Sequence, residues 1–398
     1  MADLYAGPGG LSLGFKWSGF FQPIVAVENN ERVAETYEKN LNARVIKKNV
    51  ASVRPEELLK IAKKQGFNSF DIVVGGPPCR AFTSANTGGT KWEKIRRKTK
   101  MDTVCEHPDW YNFWKVVDAL KPHAVIAENV MGFRSRNDIF SKFIRRLKIS
   151  GYAICYHKLN AEYFGVPQRR KRIFVAGIKN WTREEEMLLP KNPPEATIKR
   201  VSVRQAISDL PELSNESPAP YVSRYRRRRP TSYQLLMRRG SEILYDHIAH
   251  RVHSTMAERF QYIPQGYNLR KAWVEGKIPE SAMRSEYCVN GRVIKGFSKN
   301  TLKNMHSNIY RRLRLDDVSY TITHVRKAVL IHPLQDRLLS IREAARLQSF
   351  PDWFRFSGSL NQQYQQIANA VPPLLAEAVA KKIGELLMHI SRSRESND

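Results

Sequence analysis

Gly75-Gly-Pro-Pro-Cys79 places a thiol directly after an apolar run, and three other elements carry groups that could work with it. Ile72, Val73 and Val74 are consecutive, apolar and β-branched, which predicts a buried strand. Two glycines and two prolines then end the strand and fix the turn that follows. Glu128-Asn129-Val130 puts a carboxylic acid behind a second apolar run, Ala124-Ala127. Gln168-Arg-Arg-Lys-Arg172 leads into a third run at Ile173; Arg170 and Arg172, two apart on a strand, share one face. Asp3-Leu-Tyr-Ala-Gly-Pro-Gly-Gly10 is a glycine-rich turn, where a backbone can come close to a ligand. Glu28 follows at roughly 20 residues, a spacing that suits a carboxylate accepting hydrogen bonds from ribose hydroxyls. The turn is not of the dinucleotide form and no Walker lysine follows it, which disfavours NAD and ATP.

Taken singly, each element has a plainer explanation: an inert core cysteine, a helix-capping acid, a solvated basic run, a structural turn. Together, a thiol, an acid and convergent arginines at the ends of parallel strands beside a nucleoside pocket fit one reaction. Carbon 5 of cytosine is not nucleophilic until something adds to carbon 6. A thiolate can add there, an acid at ring nitrogen 3 can take up the developing charge, and an arginine can hold the ring oxygen. The enamine so formed attacks a methyl sulfonium.

The order and wording of these motifs closely resemble the cytosine-5 DNA methyltransferases of prokaryotic restriction-modification systems. Arg342-Glu-Ala-Ala-Arg-Leu-Gln-Ser-Phe-Pro351 and Gln366-Ile-Ala-Asn-Ala-Val-Pro-Pro373 match two further motifs, so the resemblance covers about residues 1–178 and 309–383. It implies that Cys79 is the nucleophile, Glu128 the acid at nitrogen 3, and Arg172 the contact to the base oxygen with Arg170 in support. It implies S-adenosylmethionine as cofactor, lined by Tyr5, Gly7, Gly9, Gly10, Glu28, Asn49, Pro77, Asn369 and Val371. Some positions depart from the family pattern. Arg80-Ala-Phe-Thr83 stands where Gln-Gly-Phe-Ser is common, Asn49 replaces a usual Asp, Ala368 a usual Gly, and Val318 a frequent Pro. None of these changes removes a reacting group.

The elements that must position these groups alternate from Met1 to about Ile178. Strands are expected at Ile24-Val27, Asp71-Val74, Ala124-Ala127, Ala153-Tyr156 and Ile173-Ala176. Asp109 and Asp138 are expected to cap the helices between them, the first burying Trp110, Phe113, Trp114 and Val117, the second Ile139, Phe143, Ile144 and Leu147. This predicts an α/β fold with a doubly wound, mostly parallel sheet of Rossmann-like, class I methyltransferase type. From Trp181 to about Asn308 the chain is rich in Pro, Arg, Tyr and Ser without a sustained period. Residues 1–180 are therefore read as the catalytic and cofactor-binding domain, 181–308 as a smaller target-recognition domain, and 309–398 as a return to the first. Ser340 to Glu343 has the form of a capping box. The final helix should bury Leu375, Val379, Ile383 and Leu387 and pack back against the first strand.

Lys and Arg number 66 against 38 Asp and Glu, a formal charge of +28, as expected for a partner rich in phosphates. The resemblance implies that this partner is double-stranded DNA, with its target cytosine flipped out of the helix. Arg80, Lys91, Lys94, Arg96, Arg97, Lys98 and Lys100, with Gly88-Gly89 as hinge, suit a loop closing over the flipped base. Arg226 and Arg227 open the basic stretch of the recognition lobe. His247, His250 and His253 have no fourth ligand nearby and are expected in surface or capping roles, with no metal. Four cysteines without a C-x-x-C pair, and no secretory signal, point to a reducing cytoplasm and a protein on no membrane. A monomer is expected, with a cognate endonuclease acting separately. The rival readings are a transfer-RNA cytosine methyltransferase, whose Cys-Phe-Thr element is missing here, and an inactive DNA-binding relative, which would lack the thiol or the acid.

Overall fold

The computed structural model describes residues 1–78, 108–135, 137–179, 181, 189–193, 199–213, 222–226, 229–284, 287–289, 292–294 and 310–395. Cys79, the basic loop with Arg80, Lys91, Arg96 and Arg97, and Arg227 lie outside the described residues.

Two compact units make up the chain. The first comprises residues 1–164, 170–198 and 370–398, the second 165–169 and 199–369. The expected return to the first domain at 309 thus falls inside the second unit, and the first resumes at Ala370.

The first unit is built on a seven-stranded sheet: β1 (Ala2–Leu4), β2 (Val25–Val27), β3 (Arg44–Ile46), β4 (Ile72–Gly75), β5 (Ala124–Val130), β6 (Tyr152–Asn160) and β7 (Lys171–Lys179). Its order is β3-β2-β1-β4-β5-β7-β6, parallel except at β7, which runs antiparallel to both β5 and β6. The helices between strands are α1 (Gly10–Trp17), α2 (Glu31–Leu41), α3 (Pro55–Lys63), α4 (Pro108–Leu120) and α5 (Asn137–Ile149). The apolar stripes of α3, α4 and α5 and one face of the strands merge into one core, in which Trp110 stacks on Phe133 with ring centres 3.8 Å apart. Each fully enclosed Val, Ile or Phe stabilises this core by roughly 1.5–3 kcal/mol.

α4 and α5 each begin one residue before the acid expected to cap them. Asp109 and Asp138 therefore lie in the first turn, where a negative charge favours the positive end of the helix dipole. Trp114 and Ile144 are only half-buried, and the Trp114 indole N–H instead donates to Ser150 Oγ at 3.0 Å. The C-terminal helix, Pro373–Glu395, buries Leu375, Val379 and Ile383, but Leu386 is buried in place of the half-buried Leu387. Its close partner is α1 rather than the first strand. A Cβ at Gly14 of α1 would collide with the Pro373 carbonyl and Ala376, so only glycine permits this approach.

The second unit contains short helices and two-stranded ribbons around a polar centre. Arg346 donates to Asp209 and Asp352, and Arg337 forms a two-pronged pair with Glu343 at 2.7 and 2.8 Å. Arg342 donates to the carbonyls of Tyr245, Pro351 and Phe354. The expected capping box is present: Ser340 accepts from the Glu343 N–H while Glu343 accepts from the Ser340 N–H.

Candidate active site

Because β7 is antiparallel to β5, the start of β7 lies beside the end of β5, with Arg172 opposite Val130 and Phe174 opposite Glu128. The sequence expectation of arginines at a parallel strand end is corrected here. It is the reversed strand that brings a residue at its beginning to the carboxyl edge of the sheet. Arg172 Nε pairs with Glu128 Oε1 at 3.0 Å, with both side chains nearly buried. Burial pushes the Glu128 carboxyl above the ordinary carboxylate range, and the charges of Arg172 and Arg170 only partly offset it. An acid held that way is suited to sharing a proton with a substrate atom. Arg170 does not join Arg172 at the carboxylate. Its guanidinium is enclosed and donates to the Ala370 carbonyl at 2.9 Å, so it acts on Glu128 through charge.

The turn leading to Cys79 is tied to this pair. Gly75 lies so close to the Leu4 carbonyl and Phe113 that a side chain there would collide. At Gly76 a Cβ would come within 3.4 Å of Glu128 Oε2. Asn129 Nδ2 donates to the Pro77 carbonyl at 2.8 Å, and its Oδ1 accepts from the Val130 N–H at 2.9 Å. Asn129 is thus a bracket between the strand end that bears the acid and the turn that bears the thiol. The motif reading assigned it no role, although a buried amide next to an acid at a strand end was the available signal.

At the glycine-rich turn, Tyr5, Gly7 and Gly9 all have positive φ, at 57°, 56° and 97°. A Cβ at Gly9 would press on Leu41 and Tyr37, whereas one at Gly7 would meet nothing within 4 Å among the described residues. Glu28 Oε2 accepts from the Gly7 N–H at 3.0 Å and Oε1 from the Asn30 N–H at 2.8 Å, so this carboxylate shapes the turn. Burial raises its pKa. Each oxygen keeps a second lone pair for a ribose hydroxyl. The open face at Gly7 and the flanking carboxylate fit a nucleoside cofactor. Gly10 begins α1, Pro77 is buried two residues before Cys79 in the sequence, and Val371 is buried ahead of the C-terminal helix. Asn49 caps a short turn, its Oδ1 accepting from the Ala51 N–H at 2.9 Å. Asn369 belongs to the second unit, where its Oδ1 accepts from Gln365 Nε2 at 2.8 Å.

Beneath the turn, sequence reasoning missed a buried chain of hydroxyls. Tyr37 donates to Ser12 Oγ and Ser12 to Asp3 Oδ2, both at 2.6 Å. Asp3 Oδ1 has no hydrogen-bond partner among the described residues. Burial pushes the Asp3 carboxyl up to about 7, with a further rise from the Glu28 charge.

In the second unit, Arg226 pairs with Glu212 at 2.5 Å. His253 caps the helix Ser254–Gln261, and His250 Nδ1 meets the Arg251 carbonyl at 2.6 Å. His247 is neither a surface nor a capping residue. It is buried, with Nε2 on the Pro211 carbonyl at 2.8 Å and Nδ1 on Ser340 Oγ at 2.9 Å. A carbonyl only accepts, so Nε2 carries the proton, and burial favours this neutral ring by lowering its pKa.

No helix among the described residues is long and apolar enough to cross a membrane. Comparison with known proteins gives relatives along nearly the whole chain. The type II methyltransferase M.DdeI of Desulfomicrobium norvegicum is 31% identical, the match covering 99% of this chain and 91% of the relative. The type II methyltransferase M.AgeI of Thalassovita gelatinovora is 29% identical, over 96% and 98%. Among solved structures, a candidate DNA modification methyltransferase encoded in an E. coli prophage superposes with a TM-score of 0.71 at 23% identity, covering 97% and 99%. The methyltransferase EhMeth of Entamoeba histolytica superposes with a TM-score of 0.56 at 13% identity, covering 97% and 98%. The description C-5 cytosine-specific DNA methylase matches residues 1–385, and the chain belongs to that family of enzymes.

Proposed function

We propose that the protein methylates carbon 5 of a flipped-out cytosine in double-stranded DNA, with Cys79 as nucleophile and Glu128 as the acid. The observation that carries this reading is the Arg172–Glu128 pair beneath the Gly75–Pro78 turn, bracketed by Asn129 at Pro77. The Tyr5–Gly10 turn with Glu28, Asn49, Pro77 and Val371 would hold S-adenosylmethionine, which would supply an electrophilic methyl group when bound. The Cys79 thiolate forms a bond to carbon 6 of the ring, and Glu128 shares its proton with nitrogen 3 as charge develops there. Arg172 has its Nε on Glu128 and Nη1 on the Lys171 carbonyl, which fixes its guanidinium for the ring oxygen at carbon 2. Once carbon 5 carries the methyl group, water takes its proton, the C–H electron pair forms the 5,6 double bond, and the carbon–sulfur bond breaks to restore the thiolate.

The second unit supplies the sequence reading, and the basic residues Arg80, Lys91, Arg96, Arg97, Arg226 and Arg227 neutralise phosphates. Arg226 would exchange Glu212 for a phosphate on binding. The enzyme acts as a monomer in the cytoplasm, as the modification partner of a separate endonuclease.

The test is incubation with S-adenosylmethionine and unmethylated genomic DNA, with transfer RNA in parallel, followed by base-resolution mapping of 5-methylcytosine. Methylation at one short recurring DNA motif, abolished by Cys79→Ser while DNA binding persists, is the expected result. Methylated transfer RNA with untouched DNA, or full activity of Cys79→Ser, would overturn it.

A further inference from the structure

Arg170 and Arg172 stand two residues apart at the head of β7, yet their guanidinium groups go to different places. Arg172 pairs with Glu128. Arg170 is 1% exposed and donates to the Ala370 carbonyl at 2.9 Å, while its own carbonyl accepts from the Ala161 N–H at 3.0 Å. A group so enclosed does not touch a substrate.

Ala370 is three residues before Pro373, where the C-terminal helix begins. That helix lies against α1 at Gly14, with the Pro373 carbonyl in the space a side chain would occupy. α1 in turn starts at Gly10, the last residue of the glycine-rich turn. Arg170 therefore occupies a junction. One arm runs two residues along the chain to Arg172 and Glu128. The other runs through Ala370 and the C-terminal helix to the turn assigned to the methyl donor. Both arms belong to the first unit.

We infer that Arg170 is a positioning residue that couples occupancy of the glycine-rich turn to the alignment of the Arg172–Glu128 pair. The inference rests on the roles given to Glu128, Arg172 and the turn under Proposed function. A planar guanidinium is suited to this task because its donors are fixed relative to one another, whereas an ammonium holds one carbonyl loosely. Packed elements pass small displacements onward because they do not deform continuously. Coupling between two binding events is reciprocal, so it can be read from either ligand.

The experiment measures S-adenosylhomocysteine affinity calorimetrically, with and without a duplex carrying the sequence that the wild-type enzyme methylates. In the wild type the duplex should tighten S-adenosylhomocysteine by about 5- to 150-fold, the usual range for coupled sites. In Arg170→Lys and Arg170→Gln, each checked for cooperative thermal unfolding, the ratio should fall toward one while each ligand alone still binds. Arg172→Lys, at the far end of the same arm, should lower turnover and bring the ratio toward one as well. A wild-type ratio retained in either folded Arg170 variant would overturn the inference, as would a ratio near one in a wild-type enzyme that methylates DNA. A wild-type enzyme that methylates no DNA would instead sink the catalytic reading beneath it.

Discussion

The two units solve the problem of a stable interior in different ways. The first encloses a sheet of Val, Ile and Ala between aromatic-faced helices, and its buried charges among the described residues are few: Asp3, Glu128, Glu162 and Arg170. The second has Arg259, Arg337, Arg342 and Arg346 among its largest fully buried side chains. Apolar burial is non-directional and tolerates exchange of one side chain for another of similar size. A buried guanidinium with fixed carboxylates and carbonyls is directional, and removing one partner strands the others. The difference teaches where each unit is fragile: the first at its few reacting polar groups, the second throughout its interior.

The largest expected effect falls on one polar group of the first unit. Glu128→Gln cannot donate the same proton and should lower kcat by roughly 10²- to 10⁴-fold, with the unfolding midpoint close to wild type. Steady-state kinetics beside urea melts check this, and a collapse in stability with intact kinetics would break the comparison. Next comes Arg346→Met, which removes the cation shared by the buried Asp209 and Asp352, leaving them only Arg238 and the more distant Arg342, and should cost about 3–5 kcal/mol in urea unfolding. Arg346→Lys should rescue little, because one ammonium cannot reproduce the fork that spans two carboxylates. Unperturbed stability in either variant would remove the directional argument.

Asp3 gives a pH test of the first unit. Its folded pKa of about 7 lies above its ordinary value of 3.8. Stability from this group is therefore fully present below pH 4 and lost as pH rises through 7. Asp3→Asn should flatten that part of the profile in thermal melts of the free protein, and an unchanged slope would contradict the assignment. The smallest effect is expected at the sheet: Ile126→Val should cost only about 0.5–1.5 kcal/mol.

The same contrast explains what the sequence revealed. The strands at Ile72, Ala124 and Ile173 were readable because consecutive apolar residues buried on both faces leave a local signature. The direction of β7 was not, since an apolar run is the same read either way, and that direction decides how Arg172 reaches Glu128. Arg170 and Arg172 share a strand face by spacing, yet the enclosure that sends Arg170 to Ala370 is made by a segment 200 residues away. In the second unit the stabilising contacts join distant side chains and carbonyls, such as Gln168 to Leu347 and Arg346 to Ala206, which no local period records. For the same reason the boundary at 165–169 was invisible: those residues are assigned to the second unit by bonds to Asp317, Ser319 and Ile322.

The most direct test of the central claim uses duplex DNA with 5-fluorocytosine in the methylated sequence, incubated with the enzyme and S-adenosylmethionine. Fluorine at carbon 5 cannot leave as a proton, so the bond between Cys79 and carbon 6 should persist after methyl transfer. Digestion and mass spectrometry should then find the modified base on the peptide containing Cys79. A linkage to another residue, or methylation of ordinary cytosine by an enzyme that forms no lasting adduct with the fluorinated duplex, would contradict the account.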